Sequence, residues 1–117
     1  PFSTGRGPIR VSSDPSGKFL FTADSADDTV SVFTVDPNSG NLTAVAGSPF
    51  GNVSTPIDVA VDPRGKFLYV ANWGSASVSV FSVDGTTGLL TPLSESPVSI
   101  GPQQQPGGLA IVSTQAN

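Results

Sequence analysis

Apolar and polar residues alternate in short runs. In the second half of the chain these runs fall at about 57–62 (IDVAVD), 66–72 (KFLYVAN), 77–83 (SVSVFSV) and 89–95 (LLTPLSE). A period of two, rich in Val, Ile, Phe and Tyr, marks half-buried β-strands, and no segment carries a 3.6-residue period that would mark a helix. Turn chemistry separates the runs. In Asp62-Pro63-Arg64-Gly65 the aspartate can bond back to the backbone, the proline presets φ and the glycine accepts a positive φ. Asp84-Gly85-Thr86-Thr87-Gly88 does the same between the third and fourth runs.

The whole pattern is written twice. At an offset of 48, Asp14-Pro15 meets Asp62-Pro63, and Gly17-Lys18-Phe19-Leu20 meets Gly65-Lys66-Phe67-Leu68. Val30-Ser31-Val32-Phe33 meets Val78-Ser79-Val80-Phe81, Gly40 meets Gly88, and Ser48-Pro49 meets Ser96-Pro97. Four antiparallel strands in each unit of this length describe a propeller blade, so the fold class is all-β. A blade cannot bury its own two faces, which is the physical reason for repeating it. Ile57, Val59 and Val61 are expected on one face of the innermost strand, with Asp58 and Ala60 on the other. A large-residue face meeting a small-residue face suits tapered, stacked blades.

In this register residues 1–7 close a preceding blade, 8–50 and 51–98 form two complete blades, and 99–117 form a connection and one further innermost strand. Two blades do not close a ring. The expected partners are therefore further blades of the same protein or other copies of it. "PFSTGRGP" carries neither a start methionine nor a signal peptide, so an upstream segment is expected.

Composition narrows the function classes. The chain has 117 residues with 37% hydrophobic and 12% charged content, and 13 Gly and 11 Pro serve the turns. The basic residues Arg6, Arg10, Lys18, Arg64 and Lys66 form no stripe and the net charge is −4, which argues against a nucleic-acid partner. No apolar run approaches the ~20 residues of a membrane-spanning helix. Cysteine and histidine are both absent, which removes disulfides and the commonest general base and metal ligand.

The sequence "PIDVAVDPRGKFLYVANWGSASVSVFSVDGTTGLLTPL" resembles the YVTN-type repeat of lactonase-like seven-bladed β-propellers, a group that includes 6-phosphogluconolactonases. Tyr69-Val70-Ala71-Asn72 stands where the name-giving tetrapeptide sits, and Phe21-Thr22-Ala23-Asp24 is a divergent copy. The resemblance implies the last two blades of a ring, with "GPQQQPGGLAIVSTQAN" as its closing strand. It covers nearly the whole chain and is specific for fold rather than activity.

In such a propeller the loops entering the first strand and leaving the second meet at one mouth of the channel. Those loops carry Arg6, Arg10, Asp24, Asp27, Asp28, Asp58, Asn72, Trp73 and Gln103 to Gln105. Arg10 and Asp58 occupy equivalent places in the two blades, as an anion- or sugar-contacting pair or as an inter-blade ion pair. Asn72 and Trp73 are channel-mouth candidates, with the indole a stacking platform for carbohydrate or a packing element. Asp24, Asp27 and Asp28 are weak candidates for a hard cation, and a solvated acidic turn is the competing reading. Asn41-Leu42-Thr43 and Asn52-Val53-Ser54 match the glycosylation sequon.

Lactone hydrolysis needs a base and an oxyanion-stabilising cation. Arg10 could supply the cation and Asp58 or Glu95 the base, but no catalytic residue can be carried over from the family. No cofactor is expected. The leading expectation is a non-enzymatic extracellular or cell-surface scaffold or binding module, completed by further blades or by self-assembly. The alternative is a fragment of a lactonase-like hydrolase acting on sugar lactones.

Overall fold

A computed structural model describes residues 4–51, 53–94 and 96–99. The first sheet places β1 (Pro8–Ser13), β2 (Phe19–Asp24), β3 (Thr29–Val35) and β4 (Leu42–Ala44) side by side in chain order, all antiparallel. The second repeats it with β5 (Pro56–Val61), β6 (Phe67–Asn72), β7 (Ser77–Val83) and β8 (Leu90–Pro92). A short β9 (Val98–Ser99) returns to pair with the start of β7.

The Asp-Pro-x-Gly turns form as their chemistry dictates. The Asp62 carboxylate accepts the backbone N–H groups of Lys66 (2.6 Å) and Phe67 (3.0 Å), while Gly65 adopts φ 73°. Asp14 accepts from Phe19 at 2.9 Å, and Gly17 adopts φ 77°. Burial alone would raise the Asp62 carboxyl, but the N–H groups of Phe67 and Lys66 and the Arg64 guanidinium outweigh it and hold it below its ordinary value. Asp14 is held down in the same way: burial raises it, and Phe19, Ser16 and Lys18 outweigh that effect. In the outer turns, Asp36 is lowered by the N–H groups of Asn38 and Ser39, and Asp84 by those of Thr86 and Thr87.

A carboxyl lowered in the folded state stabilises fully above its unfolded pKa of about 4, and that stability is lost as pH falls through the folded value. Denaturant midpoints are therefore expected to hold steady from neutral pH to about 4 and to drop below it. A midpoint unchanged to pH ~2 would remove these turns as contributors.

Two elements differ from the sequence expectation. The innermost strand, expected over 57–62, runs over Pro56–Val61, and a bulge between Pro56 and Asp58 takes Ile57 out of the ladder. The simple alternation of Ile57 with Val59 and Val61 therefore starts only after the bulge. The outer strand, expected to be continuous over 89–95, ends at Pro92 and resumes as β9. Proline at 97 offers no N–H for a ladder, and the Ser96 hydroxyl accepts the Val80 N–H (2.9 Å) beside a cis Ser96-Pro97 bond. The first blade repeats the arrangement: Ser48 accepts the Val32 N–H at 2.9 Å, and Phe50 and Val30 exchange two backbone bonds of 2.8 Å.

The core lies between the sheets. Phe19, Phe21, Val30 and Val32 of the first pack with Val59, Leu68, Val70, Phe81 and Leu90 of the second. Each such side chain contributes about 1.5–3 kcal/mol on full burial. Gly88 (φ 79°) lets the second outer turn approach closely, since a Cβ there would lie 2.8 Å from the Phe19 ring. Lys18 Nζ also crosses the boundary, donating to the Gly85 carbonyl at 3.1 Å.

Equivalent positions show which faces are covered. Val59, under the first blade, is 4% exposed, whereas Val11 on the outer side of the first blade is 59% exposed. Phe21 is 0% exposed, but its counterpart Tyr69 is only half-buried. Val45 is buried and its counterpart Leu93 is exposed. Exposure on the far faces is thus local: Val11 and Leu93 are open, whereas Thr22, Ser31 and Phe33, on the same face as Val11, are still buried.

Candidate functional site

The strand ends that begin β1 and β5 and terminate β2 and β6 gather the predicted site residues at one end of the sheets. Asp24 and Asn72 take equivalent places as the last residues of β2 and β6, and both are buried. The Asp24 carboxylate accepts from the hydroxyls of Thr22 (2.8 Å), Thr29 (3.0 Å) and Ser31 (2.6 Å). The Asn72 amide nitrogen donates to Ser77 (3.2 Å) and Ser79 (2.8 Å), and its oxygen accepts the Ser54 N–H (3.1 Å). At 1% exposure Asn72 pins the second strand, the third strand and the entry loop together, rather than facing a channel as the sequence suggested.

The three aspartates of the acidic loop do not share a site. Asp24 is turned into the sheet, as described above. Asp27 accepts from the Arg6 N–H and Nε, both at 2.7 Å, which holds its carboxyl below the ordinary value. Asp28 reaches the next blade and accepts the Thr55 N–H at 2.7 Å. Among the described residues no three acidic side chains converge on a metal position. The weak cation candidates are thus corrected to a buried pin, an ion pair and an inter-blade clasp.

Arg10 and Asp58 do meet across the blade boundary, with Nε 4.0 Å from Oδ1. Asp58 Oδ1 also accepts the Val59 N–H at 2.9 Å, which fixes the carboxylate. The guanidinium side is 63% exposed and lines an open groove of about 390 Å³ with Pro8, Ile9, Val11 and Thr22. So exposed a pair contributes about 0–1 kcal/mol. Arg10→Ala should accordingly leave the denaturant midpoint almost unchanged, and a loss above ~2 kcal/mol would mean a tighter pair than this geometry shows.

Trp73 follows β6 and its side chain remains largely outside, the residue being 47% exposed, while its backbone N–H donates to the Thr55 carbonyl at 3.1 Å. Ser25, its counterpart, makes the same kind of bond to Gly7 at 2.9 Å, so the backbone arrangement does not require an indole. Glu95, Asn52 and Gln103 to Gln105 lie outside the described residues, as does the expected closing strand. Asn41, the other sequon asparagine, is exposed at the outer turn. No described helix is long and apolar enough to cross a membrane.

Sequence reasoning missed the hydroxyls that serve Asp24 and Asn72. Their signal was present in the repeat, where Thr29 and Ser31 align with Ser77 and Ser79. Alternating hydroxyls in an otherwise Val-rich strand are placed to satisfy a buried polar end residue.

A sequence model of the family described as lactonase, seven-bladed β-propeller, matches residues 2–104. The chain belongs to the lactonase family of β-propellers. Solved structures agree. The periplasmic gluconolactonase of Pseudomonas aeruginosa is 31% identical with a TM-score of 0.69, over 78% of this chain and 25% of that one. A candidate 6-phosphogluconolactonase of Bacteroides fragilis is 30% identical with a TM-score of 0.69, over 76% and 25%. The hydrazine synthase of Kuenenia stuttgartiensis is 30% identical with a TM-score of 0.60, over 91% and 26%. The chain thus spans about a quarter of the length of these structures. Among curated proteins, none matches by sequence.

Proposed function

We infer that the chain supplies two blades of a lactonase-like ring that hydrolyses a sugar lactone. The observation that carries this reading is the family match over residues 2–104, supported by two gluconolactonase-type structures at about 30% identity. The comparisons favour hydrolysis over the scaffold role that composition suggested. In this reading Arg10, exposed on the innermost strand, presents a cation toward the substrate's developing oxyanion or an anionic sugar substituent. Asp58 orients that guanidinium. Since the chain has no histidine, the base that activates water is a carboxylate or a group from other blades. A periplasmic relative supports an envelope or extracellular location.

The test is the hydrolysis of δ-gluconolactone and its 6-phosphate by the intact protein that carries these blades. Acceleration over the spontaneous rate, weakened by Arg10→Ala, is expected. Spontaneous rates with both lactones would overturn the reading.

A second reading, a non-enzymatic scaffold or carbohydrate-binding module, draws on a different observation. Similar blades occur in a hydrazine synthase, so the blade itself does not dictate lactone chemistry. Trp73 is the side chain this reading would use for stacking on sugar.

A further inference from the structure

The two repeats fill the same corner of the site end in opposite ways. In the first, Gly7 (φ 68°) leads into β1, and a Cβ there would lie 2.9 Å from the Ala26 methyl. In the second, at the offset of 48, Thr55 stands in place of Gly7 and Gly74 in place of Ala26. Thr55 holds φ 44°, a left-handed conformation foreign to a β-branched residue and more so to one before proline. The Asp28 carboxylate keeps it there by accepting its N–H at 2.7 Å, and its carbonyl accepts the Trp73 backbone N–H at 3.1 Å. Glycine meets the same backbone demand in the first repeat without strain. Gly74, for its part, has no left-handed φ to explain it. Close approach does: a Cβ there would lie 2.7 Å from both the Ser54 Oγ and the Thr55 Oγ1. Two hydroxyls therefore converge on one notch over the bare Gly74 backbone. Among the described residues, the hydrogen bonds of Ser54 and Thr55 use backbone groups and leave both hydroxyls to the notch.

The notch lies at the strand ends and not on a stacked face. Thr55 has the preceding blade beside it and Gly7 the following one, yet Thr55 is only half-buried and Gly7 is exposed. Neither neighbour closes this corner. Strain kept where glycine would serve marks a side chain retained for something other than the fold. Hydroxyls donate and accept, so they suit a partner that does both, as a sugar hydroxyl does. An anion would need N–H donors or a cation. The N–H groups of Thr55 and Gly74 are already bonded, to Asp28 and to the Ser54 carbonyl, and Asp28 adds negative charge beside the notch. We propose that Ser54, Thr55 and Gly74 form a subsite that binds the uncharged hydroxyls of a sugar. The proposal rests on the sugar-ligand reading above and is independent of whether that sugar is hydrolysed.

The experiment is calorimetric titration of D-glucose and of D-gluconate into the intact protein that carries these blades, as wild type, Thr55→Gly, Thr55→Ser and Gly74→Ala. Thr55→Gly is expected to weaken both sugars about 3–10-fold, the loss of one hydrogen bond. Its denaturant midpoint should stay at or above that of wild type, because the strain at this φ is relieved. Thr55→Ser keeps the hydroxyl and should bind like wild type. Gly74→Ala fills the notch and should weaken binding at least as much as Thr55→Gly. A wild type that binds neither sugar overturns the proposal. So does a Thr55→Gly variant that binds like wild type, and so does one whose midpoint falls in step with its affinity, since Thr55 would then be structural. Lactones hydrolysed only at the spontaneous rate, with this binding pattern intact, would remove the hydrolase reading and leave the subsite standing. Accelerated hydrolysis, with sugar binding indifferent to Thr55, would do the reverse.

Discussion

Phe21→Ala is expected to lower the unfolding free energy by about 3–5 kcal/mol, the cost of emptying a fully enclosed aromatic site. Phe21 is 0% exposed because the second sheet closes over it, and the ring stands between Val32 on its own sheet and the second blade's apolar face. Tyr69 occupies the same place in the other repeat but is only half-buried. Tyr69→Ala should therefore cost about 1 kcal/mol. Urea or guanidinium titrations of both variants in residues 1–117 prepared alone give the comparison directly. Equal losses at the two positions would mean that the blade-to-blade contact does not enclose Phe21.

The second large effect lies at the buried end of β2. Asp24→Ala leaves the hydroxyls of Thr22, Thr29 and Ser31 without their shared acceptor, and each buried unsatisfied group costs about 1–3 kcal/mol. A loss of about 3 kcal/mol is expected once the hydroxyls have reoriented in part. Asp24→Asn should cost about 1 kcal/mol or less. A hydroxyl can accept as readily as it donates, and the second blade shows the solution: the Asn72 amide donates to Ser77 and Ser79. If Asn fares as badly as Ala, the site depends on the negative charge and not on hydrogen-bond satisfaction.

Most of the fold could be read from the residues. The 48-residue offset, the paired Asp-Pro-x-Gly turns and the period-two runs define the repeated four-stranded sheet. The features that escaped depend on atoms distant in sequence. The bulge at Ile57 is set by how Pro56 and Asp58 register against Asn72 and Ala71 on β6, which an alternation pattern does not encode. The break in the outer strand was written in Ser96-Pro97, but the role of the Ser96 hydroxyl emerges only when Val80 lies opposite it.

The site was legible in a different way. Arg10 and Asp58 met as their equivalent placement suggested, whereas Asn72 turned inward because two serine hydroxyls and a backbone N–H compete successfully for its amide. Proximity along the loop made Asp24, Asp27 and Asp28 look like one cluster. Asp24 ends a strand and points into the sheet, while Asp27 and Asp28 turn to Arg6 and to Thr55 of the next blade. Sequence spacing gives distance along the chain, and side-chain direction needs the third dimension.

Because the chain contains no cysteine, a single introduced thiol reports on one position alone. The most direct test of the stacked-blade account is the thiol reaction rate of Val11→Cys and Val59→Cys in residues 1–117 prepared alone, dilute and native. These are the same place in the repeat, one uncovered and one beneath the neighbouring blade. The account predicts that Val11→Cys reacts close to the rate of an unfolded thiol, and that Val59→Cys reacts at least ~100-fold more slowly because it must wait for the blades to part. Equal rates at the two positions would contradict it.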